Sequence, residues 1–515
     1  MDLQRSESST SRWPLKRPRL TLRPRRLFAK ASMWLLVLVL VASVIFTADV
    51  LRLNEAERAA SPHLYSLVQW EFSNFLDKWL HRAVSVFPWN SESDAEKAEQ
   101  IEDYFALTSA RVAVAQALAD GTAENMGAPE REELAAQLAA LDRSRERLRA
   151  DVEETLEAAI SAVIAAEGLS GFAGLIFPPV DFLLTTPPYA LITSPRDRIE
   201  RGEEALLRPD VSLSDSIAIE DELAAQPNLS ALVIPIGGVA TYPASVFNGR
   251  GLRWTLQIAA HEWLHHYLFF RPLGFNMFDS GDMQTLNETV ADLAGREIGD
   301  RAFIALGGVI PVSGSSAIDD TGSPAIAVSA MAAEPDEKIF DFQGEMRTTR
   351  LRADELLADG KIAEAEAYME ARRLIFVANG YNIRKLNQAY FAFHGTYAES
   401  GASVSPVGGQ VRDYRDLSPD LGSFIGQVAS SPNYADFIAE LDALRQQPVS
   451  SIADEPNTAI AGEPVSSIAD GPNKEKVHNV LSSFASLTAP QWPGLTSLPT
   501  PVESGRRPPI LTYES

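Results

Sequence analysis

Apolar positions along this chain pass through successive regimes, each predicting a different element. Residues 31–48 form an uncharged run with Met33-Trp34-Leu35-Leu36-Val37-Leu38-Val39-Leu40 at its heart, and these 18 residues suffice to span a bilayer as a helix. Helical spacing then takes over in 63–87 (Leu64, Leu67, Trp70, Phe72, Phe75, Leu76, Trp79, Leu80), 95–120 and 130–167, the last with opposite charges at i,i+4. Residues 60–168 therefore read as a helical stalk or an antiparallel hairpin that holds or spaces the part of the chain that follows. After Gly168 the apolar runs shorten between Pro and Gly. Residues 180–186 and 189–193 read as strands around Pro187-Pro188, 197–206 and 214–225 as helices, and 231–236 as another strand. A Gly-rich segment, 237–243, precedes a helix whose Ile258, Ala259, Ala260, Trp263, Leu264, Tyr267 and Leu268 mark it as deeply buried. Residues 313–336, rich in Ser, Gly, Ala and Pro, read as a surface loop, and helical periodicity resumes at 346–358, 361–378 and 381–399. The expected fold class is α+β, mostly helical with a small sheet and a single N-terminal transmembrane helix. Its divisions are a core at 169–300, a loop insertion at 301–343 and a C-terminal helical subdomain at 344–446.

Charge places the ends. Residues 1–32 hold nine Lys or Arg against Asp2 and Glu7, a net of +7, so the rest of the chain carries −31 of the total −24. A basic flank stays cytoplasmic, which makes 1–30 a cytoplasmic tail, 31–50 a single-pass anchor in the cell membrane, and everything later extracytoplasmic. A cleaved signal peptide is the competing reading, but Phe46 spoils a small-x-small cleavage site ending at Ala48. So acidic a remainder argues for solubility and against nucleic acid or anionic lipid as a partner. The chain has no Cys, which removes disulfides and cysteine nucleophiles. Near the C-terminus Pro448-Val449-Ser450-Ser451-Ile452-Ala453-Asp454 recurs at 464–470, and 447–515 reads as a disordered tail with a duplicated linker.

Within the buried helix stands His261-Glu262-Trp263-Leu264-His265. Four apart, the histidines share one helical face, where two neutral imidazoles can grip one metal ion while Glu262 reaches a water beside it. Burying these three side chains on so apolar a helix is costly unless something pairs with them, as a metal does. Downstream, Asn287-Glu288-Thr289-Val290-Ala291-Asp292 offers a third ligand. Glu288 follows His265 by 23 residues, room enough to turn through Pro272-Leu273-Gly274 and return as a second helix, with Asp292 one turn further on the same face.

HExxH followed by NExxxD on a second helix resembles the gluzincin metallopeptidases, the thermolysin-like clan. The resemblance implies that His261, His265 and Glu288 bind Zn2+, that Glu262 is the general base, and that Asp292 orients a ligand histidine from outside the coordination sphere. It also implies a sheet edge beside the zinc helix for pairing with extended substrate. Residues 237–243 would fill that place, an ordinary turn being the alternative. A second donor to the developing oxyanion is expected from a C-terminal helix, and His394 and Tyr397 share a face of 381–399 with Asn387 and Tyr390. That stripe, which has a distant likeness to bacterial putative aminopeptidases, reads more readily as a hydrogen-bonded core face.

Other zinc patterns fit less well. A metzincin needs Gly and His where Leu268 and Arg271 stand, and a cysteine-ligated site has no cysteine to use. The expectation is thus a membrane-anchored, extracytoplasmic, zinc-dependent peptidase acting on peptide or protein substrates, with the bilayer as partner of residues 31–50. The absence of a Gly-x-Met-x-Asn motif from 237–243 leaves exopeptidase and endopeptidase action both open. A zinc-stabilised envelope scaffold without catalysis is the alternative, against which Glu262 argues, since a structural site has no use for a base.

Overall fold

A computed structural model describes residues 53–71, 73–74, 78, 93–120, 127–171, 174–310, 340–398 and 400–446. The expected basic tail (1–30), anchor (31–50) and C-terminal tail (447–515) lie outside the described residues, as do 311–339 of the loop and much of the 63–87 helix. Among the described residues no helix is long and apolar enough to cross a membrane.

The described chain enters through α1 (Glu55–Ala59), where Asn54 and Glu57 cap each other's amides in a reciprocal box. The next amphipathic stretches become α2 (Asp94–Asp120) and α3 (Ala128–Ala166). Their contacts run in opposite chain directions, Thr108 with Arg145 and Arg111 with Asp142, so they form a hairpin. Its second helix is built into the core, with Val152, Leu156, Ile160 and Ile164 fully buried.

Strands β1 (Phe182–Thr185), β2 (Tyr189–Pro195) and β3 (Glu204–Leu207) come after the hairpin, then α4 (Leu213–Ala224), β4 (Leu229–Pro235), β5 (Gly238–Val239) and β6 (Ala244–Phe247). They make two three-stranded sheets rather than one. In the order β3-β2-β4 both pairings are antiparallel; in β1-β6-β5, β1 runs parallel to β6 and β5 lies at an edge. The other edge, β1, is covered by α3: Glu153 accepts from the Leu184 amide at 2.7 Å and Glu157 from the Phe182 amide at 3.0 Å. Lys78 completes this knot, 2.9 Å from Glu153 and 2.7 Å from Glu157.

The helix expected over 197–206 does not form. Arg, Glu, Ala and Leu favour helix, but the chain turns back after β2, and Gly202 lies so close to Thr193 that a Cβ there would stand 2.7 Å from the Thr193 hydroxyl. Pairing with β2 then outweighs propensity.

Next come α5 (Leu252–Phe269), the short α6 (Pro272–Phe275) and α7 (Gly281–Ala305), the last capped by Ser280, whose side chain accepts from the Met283 amide. Helices α5 and α7 cross unusually closely. A Cβ on Gly295 would meet the His261 backbone at 2.9 Å, and one on Gly299 the Gln257 backbone at 2.5 Å. Two glycines one turn apart on α7 therefore admit the α5 backbone.

The remaining helices are α8 (Phe342–Ala358), α9 (Ile362–Ala378), α10 (Gln388–His394), α11 (Val407–Leu417), α12 (Leu421–Val428) and α13 (Tyr434–Gln446). The helix expected at 381–399 shrinks to α10. Gly380, at φ +89°, ends α9, and Asn387 accepts from the Tyr390 amide as a cap. Residues just before α10 are held to β4 instead, Arg384 by the Val233 carbonyl and Asn387 by the Ala231 carbonyl. Tyr397 thus lies beyond the helix, on the turn after Gly395.

Alternation along β2 and β4 divides the apolar residues. Ala190, Ile192, Leu232 and Ile234 pack with α8 to α10, whereas Leu191, Ala231 and Val233 pack with α1 and α4. A larger core joins α2, α3, β1, β6, α5, α7 and α11 to α13. The class is mixed α+β, mostly helical.

Candidate metal centre

Helix α5 supplies His261, Glu262 and His265; α7 supplies Asn287, Glu288, Ala291 and Asp292. The close crossing brings them together. His261 Nε2 lies 3.0 Å from His265 Nε2, and Glu288 Oε2 lies 3.7 and 3.6 Å from the two. Among the described residues this is the group of His and acidic side chains able to hold a metal ion, with its donor atoms all within 4.8 Å of one another.

The remaining ring nitrogens are engaged. His265 Nδ1 is 2.9 Å from Asn287 Oδ1, and His261 hydrogen-bonds to the Ala291 backbone. An acceptor on each far nitrogen fixes the tautomer and turns both Nε2 lone pairs toward the same point. Two facing lone pairs at 3.0 Å repel unless a cation or a proton lies between them. Nitrogen and oxygen donors on one tetrahedral zinc lie about 3.3 Å apart, a value the three observed separations bracket, so the donor set suits zinc.

The charged groups of this corner also act on one another. Burial lowers the pKa of His265, but the Glu288 carboxylate outweighs it and lifts the value to about 9. Glu288 is the reverse case: burial raises its pKa, yet His265, His261 and Arg201 hold it down at about 2. Burial and the neighbouring His265 charge push His261 down to about 3. The corner is built to keep one carboxylate ionised against positive charge.

Glu262, which feels the charges of His265 and Glu288, stands against β5. A Cβ on Gly238 would lie 2.3 Å from Glu262 Oε1, so glycine is needed there for the carboxylate to stand against the strand edge. Burial raises its pKa to about 8. His266 takes the neighbouring helical face, its ring edge-on to Tyr242 at 5.5 Å and near the Ala240 and Thr241 carbonyls.

All these groups line one cavity of about 830 Å³. Apolar side chains form much of its wall, including Phe177, Trp254, Ile258, Phe269, Phe270 and Phe278. His394 and Tyr397 line it too, as the sequence predicts, but they differ. Glu288, Arg201, Glu262 and Asp292 all act electrostatically on the Tyr397 phenol, whose pKa burial raises well above its ordinary value. His394 is lowered to about 4 by burial alone, its ring packed 4.3 Å from Tyr390 and 5.1 Å from Phe393. Tyr397 is therefore the closer in charge terms to the metal corner.

Asp292 lies at the cavity wall and grips Arg296, 2.7 Å from its guanidinium. The tethers seen on the histidines come from Asn287 and Ala291. In the sequence Asn287 belongs to a motif that gives it no task of its own. Arg201 carries no signal there at all: it is a cavity residue held by Glu204 and Thr396 beneath the Phe393 ring, and a charged run does not reveal it. Compared with protein-family models, with curated proteins and with solved structures, the chain finds no match.

Proposed function

We propose that this chain is a zinc-dependent peptidase, held at the outer face of a membrane by residues 31–50. The observation that carries the reading is the convergence of His261 Nε2, His265 Nε2 and Glu288 Oε2 in a cavity whose wall also presents a buried Glu262. A gluzincin-like arrangement of ligands and base accounts for all four. A zinc ion bound there supplies Lewis-acid activation of water and of an amide carbonyl.

The chain's own residues do the rest. His261, His265 and Glu288 hold the ion, and Asn287 and the Ala291 carbonyl fix the rings. Glu262, made more basic by burial, takes a proton from the attacking water on its carboxylate and hands it to the leaving amine nitrogen. Extended substrate pairs along the β5 edge beside it. The Tyr397 hydroxyl donates to the oxygen that gains charge, with His394 as the further candidate. Burial of His261, Glu262 and Glu288 within the cavity strengthens these polar interactions.

Metal content and hydrolysis of a peptide library, with and without chelator, test the proposal. Glu262→Gln keeps about one zinc per chain and loses hydrolysis, because the carboxylate moves a proton and ligates nothing. Full metal loading with no chelator-sensitive cleavage of any peptide would favour the non-catalytic scaffold instead.

A further inference from the structure

We infer that the aromatic rim of the cleft is a membrane-docking surface, with Phe177, Phe269, Phe270, Phe275 and Phe278 entering the interfacial layer of the bilayer that carries the anchor. This rests on the anchor reading of residues 31–50 and extends it to the folded domain.

Solvent reaches these side chains freely. Phe275 and Phe278 are 79 and 81 % exposed, and Phe177, Phe269 and Phe270 are each more than half exposed. Single exposed apolar residues are ordinary on a protein surface, but four of these, Phe177, Phe269, Phe270 and Phe278, line one cavity, and Phe275 stands three residues before Phe278. The Phe177 and Phe270 rings are 5.1 Å apart, and those of Phe269 and Phe270 5.2 Å. They come from the loop after α3, the end of α5 and the region of α6, three places with no shared local reason to be apolar.

Charge sets the rim apart from the rest of the domain. Residues 168–180 contain no charged side chain, and Arg271 is the sole Lys, Arg, Asp or Glu in 266–278. The chain beyond residue 32 carries −31 in all, none of its acidic residues falling in these two segments. Acidic groups are repelled from anionic lipid, and aromatic side chains are those that settle at the membrane–water interface. An aromatic patch drawn from two segments, 168–180 and 266–278, that hold no acidic residue, on a strongly acidic domain, is the surface such an interface accepts.

The tether is short and arrives at the same cleft. Five peptide steps separate Ala48, the end of the apolar run, from Leu53, where the described chain begins; fully extended they reach about 17 Å. The chain then binds the cavity's own wall. Asn54 donates to the Glu204 carbonyl and the Tyr65 amide to the Leu206 carbonyl, and Glu71, Glu204 and Leu206 line the cavity with Phe177, Phe270 and Phe278. A domain so tethered has no room to stand clear of the bilayer. Its cleft then opens at the lipid surface, onto polypeptide that lies close to the membrane.

The lack of native cysteine makes the test direct. Full-length chain carrying Phe275→Cys or Phe278→Cys, labelled with a polarity-sensitive fluorophore, is placed in proteoliposomes containing shallow nitroxide lipids. Leu374→Cys, on α9 and 55 % exposed, reports an apolar site away from the rim, and Leu38→Cys reports the anchor. Quenching at 275 and 278 about two-fold or more above that at 374 is expected, since interfacial side chains lie about 5–10 Å deep. Quenching at 38 with none at 275 and 278 overturns the docking and leaves the anchor. No quenching at any of the three overturns both. Labels at 275 and 278 that ignore lipid but are shielded by an added apolar peptide overturn it too, making the rim a polypeptide site. Chelator-sensitive peptide cleavage, measured separately on unlabelled chain, keeps these outcomes distinct from failure of the peptidase reading.

Discussion

His265 is held through Asn287 Oδ1 at 2.9 Å, so the metal corner depends on a neutral amide that binds no metal itself. Asn287→Ala is expected to weaken zinc affinity by roughly 10 to 100-fold while leaving three ligands in place, read by competition with a fluorescent chelator. Unchanged affinity would mean that Nδ1 needs no partner. Tyr397→Phe should lower turnover by about 10² to 10³-fold with zinc content intact, because its hydroxyl acts mainly on the transition state. His394→Ala should have the smaller effect, since His394 feels none of the charges that act on Tyr397; the reverse order would exchange their roles. At this scale the sequence is informative where chemistry tracks helical spacing. His261, His265 and Glu288 meet because i,i+4 and a returning helix put them on facing surfaces. It is silent where a side chain reaches back by an unpredictable rotamer, as Asn287 does, or reaches in from the connection between β2 and β3, as Arg201 does.

Helix α7 can bring Glu288 to α5 because Gly295 and Gly299 let the backbones close. Gly295→Val places branched carbon against the His261 backbone, already 2.9 Å from where a Cβ would stand. Overpacking of this kind costs about 1–3 kcal/mol, and the separated helices should lose zinc along with stability, as metal analysis and thermal melting would show. A stable, fully loaded variant would mean the crossing has slack. The knot joining α3 to β1 makes a different prediction. Among the described residues three carboxylates (Glu153, Glu157, Asp181) face Lys78 and Arg149, and burial, with the Asp181 charge adding to it against the pull of Lys78, lifts Glu157 to about 7. A carboxyl that binds its proton more tightly in the folded state stabilises the fold while protonated. That contribution is complete below about 4.5 and is lost as pH rises through about 7. Glu157→Gln, which stays neutral, should therefore show a shallower fall in melting temperature between pH 5 and 8 than the parent; parallel curves would remove Glu157 from the knot's titration. The 95–120 and 130–167 helices are readable as elements because long amphipathic periods leave little choice. The 197–206 segment is not, because pairing with β2 is a tertiary event that a helix-favouring composition conceals.

For the whole molecule, the basic flank and the apolar run predict which side of the membrane each part occupies. Protease added to intact cells, or to spheroplasts where an outer membrane exists, should digest the chain after residue 50 and spare an epitope placed before Lys30. Protection of both ends would reverse the topology. The division of labour within the folded part has its own consequence. Every proposed ligand comes from α5 and α7, neighbours in sequence between residues 252 and 305, whereas the cavity walls are drawn from Phe177, Arg201, Leu206, Phe393 and Tyr397, far apart along the chain. In the proposed peptidase, metal capture is thus a local property of one helical pair, and substrate preference is a distributed one. Drift in the distant walls can retarget such an enzyme without touching its grip on the ion, so zinc content alone would be a poor guide to what any descendant of this chain cuts.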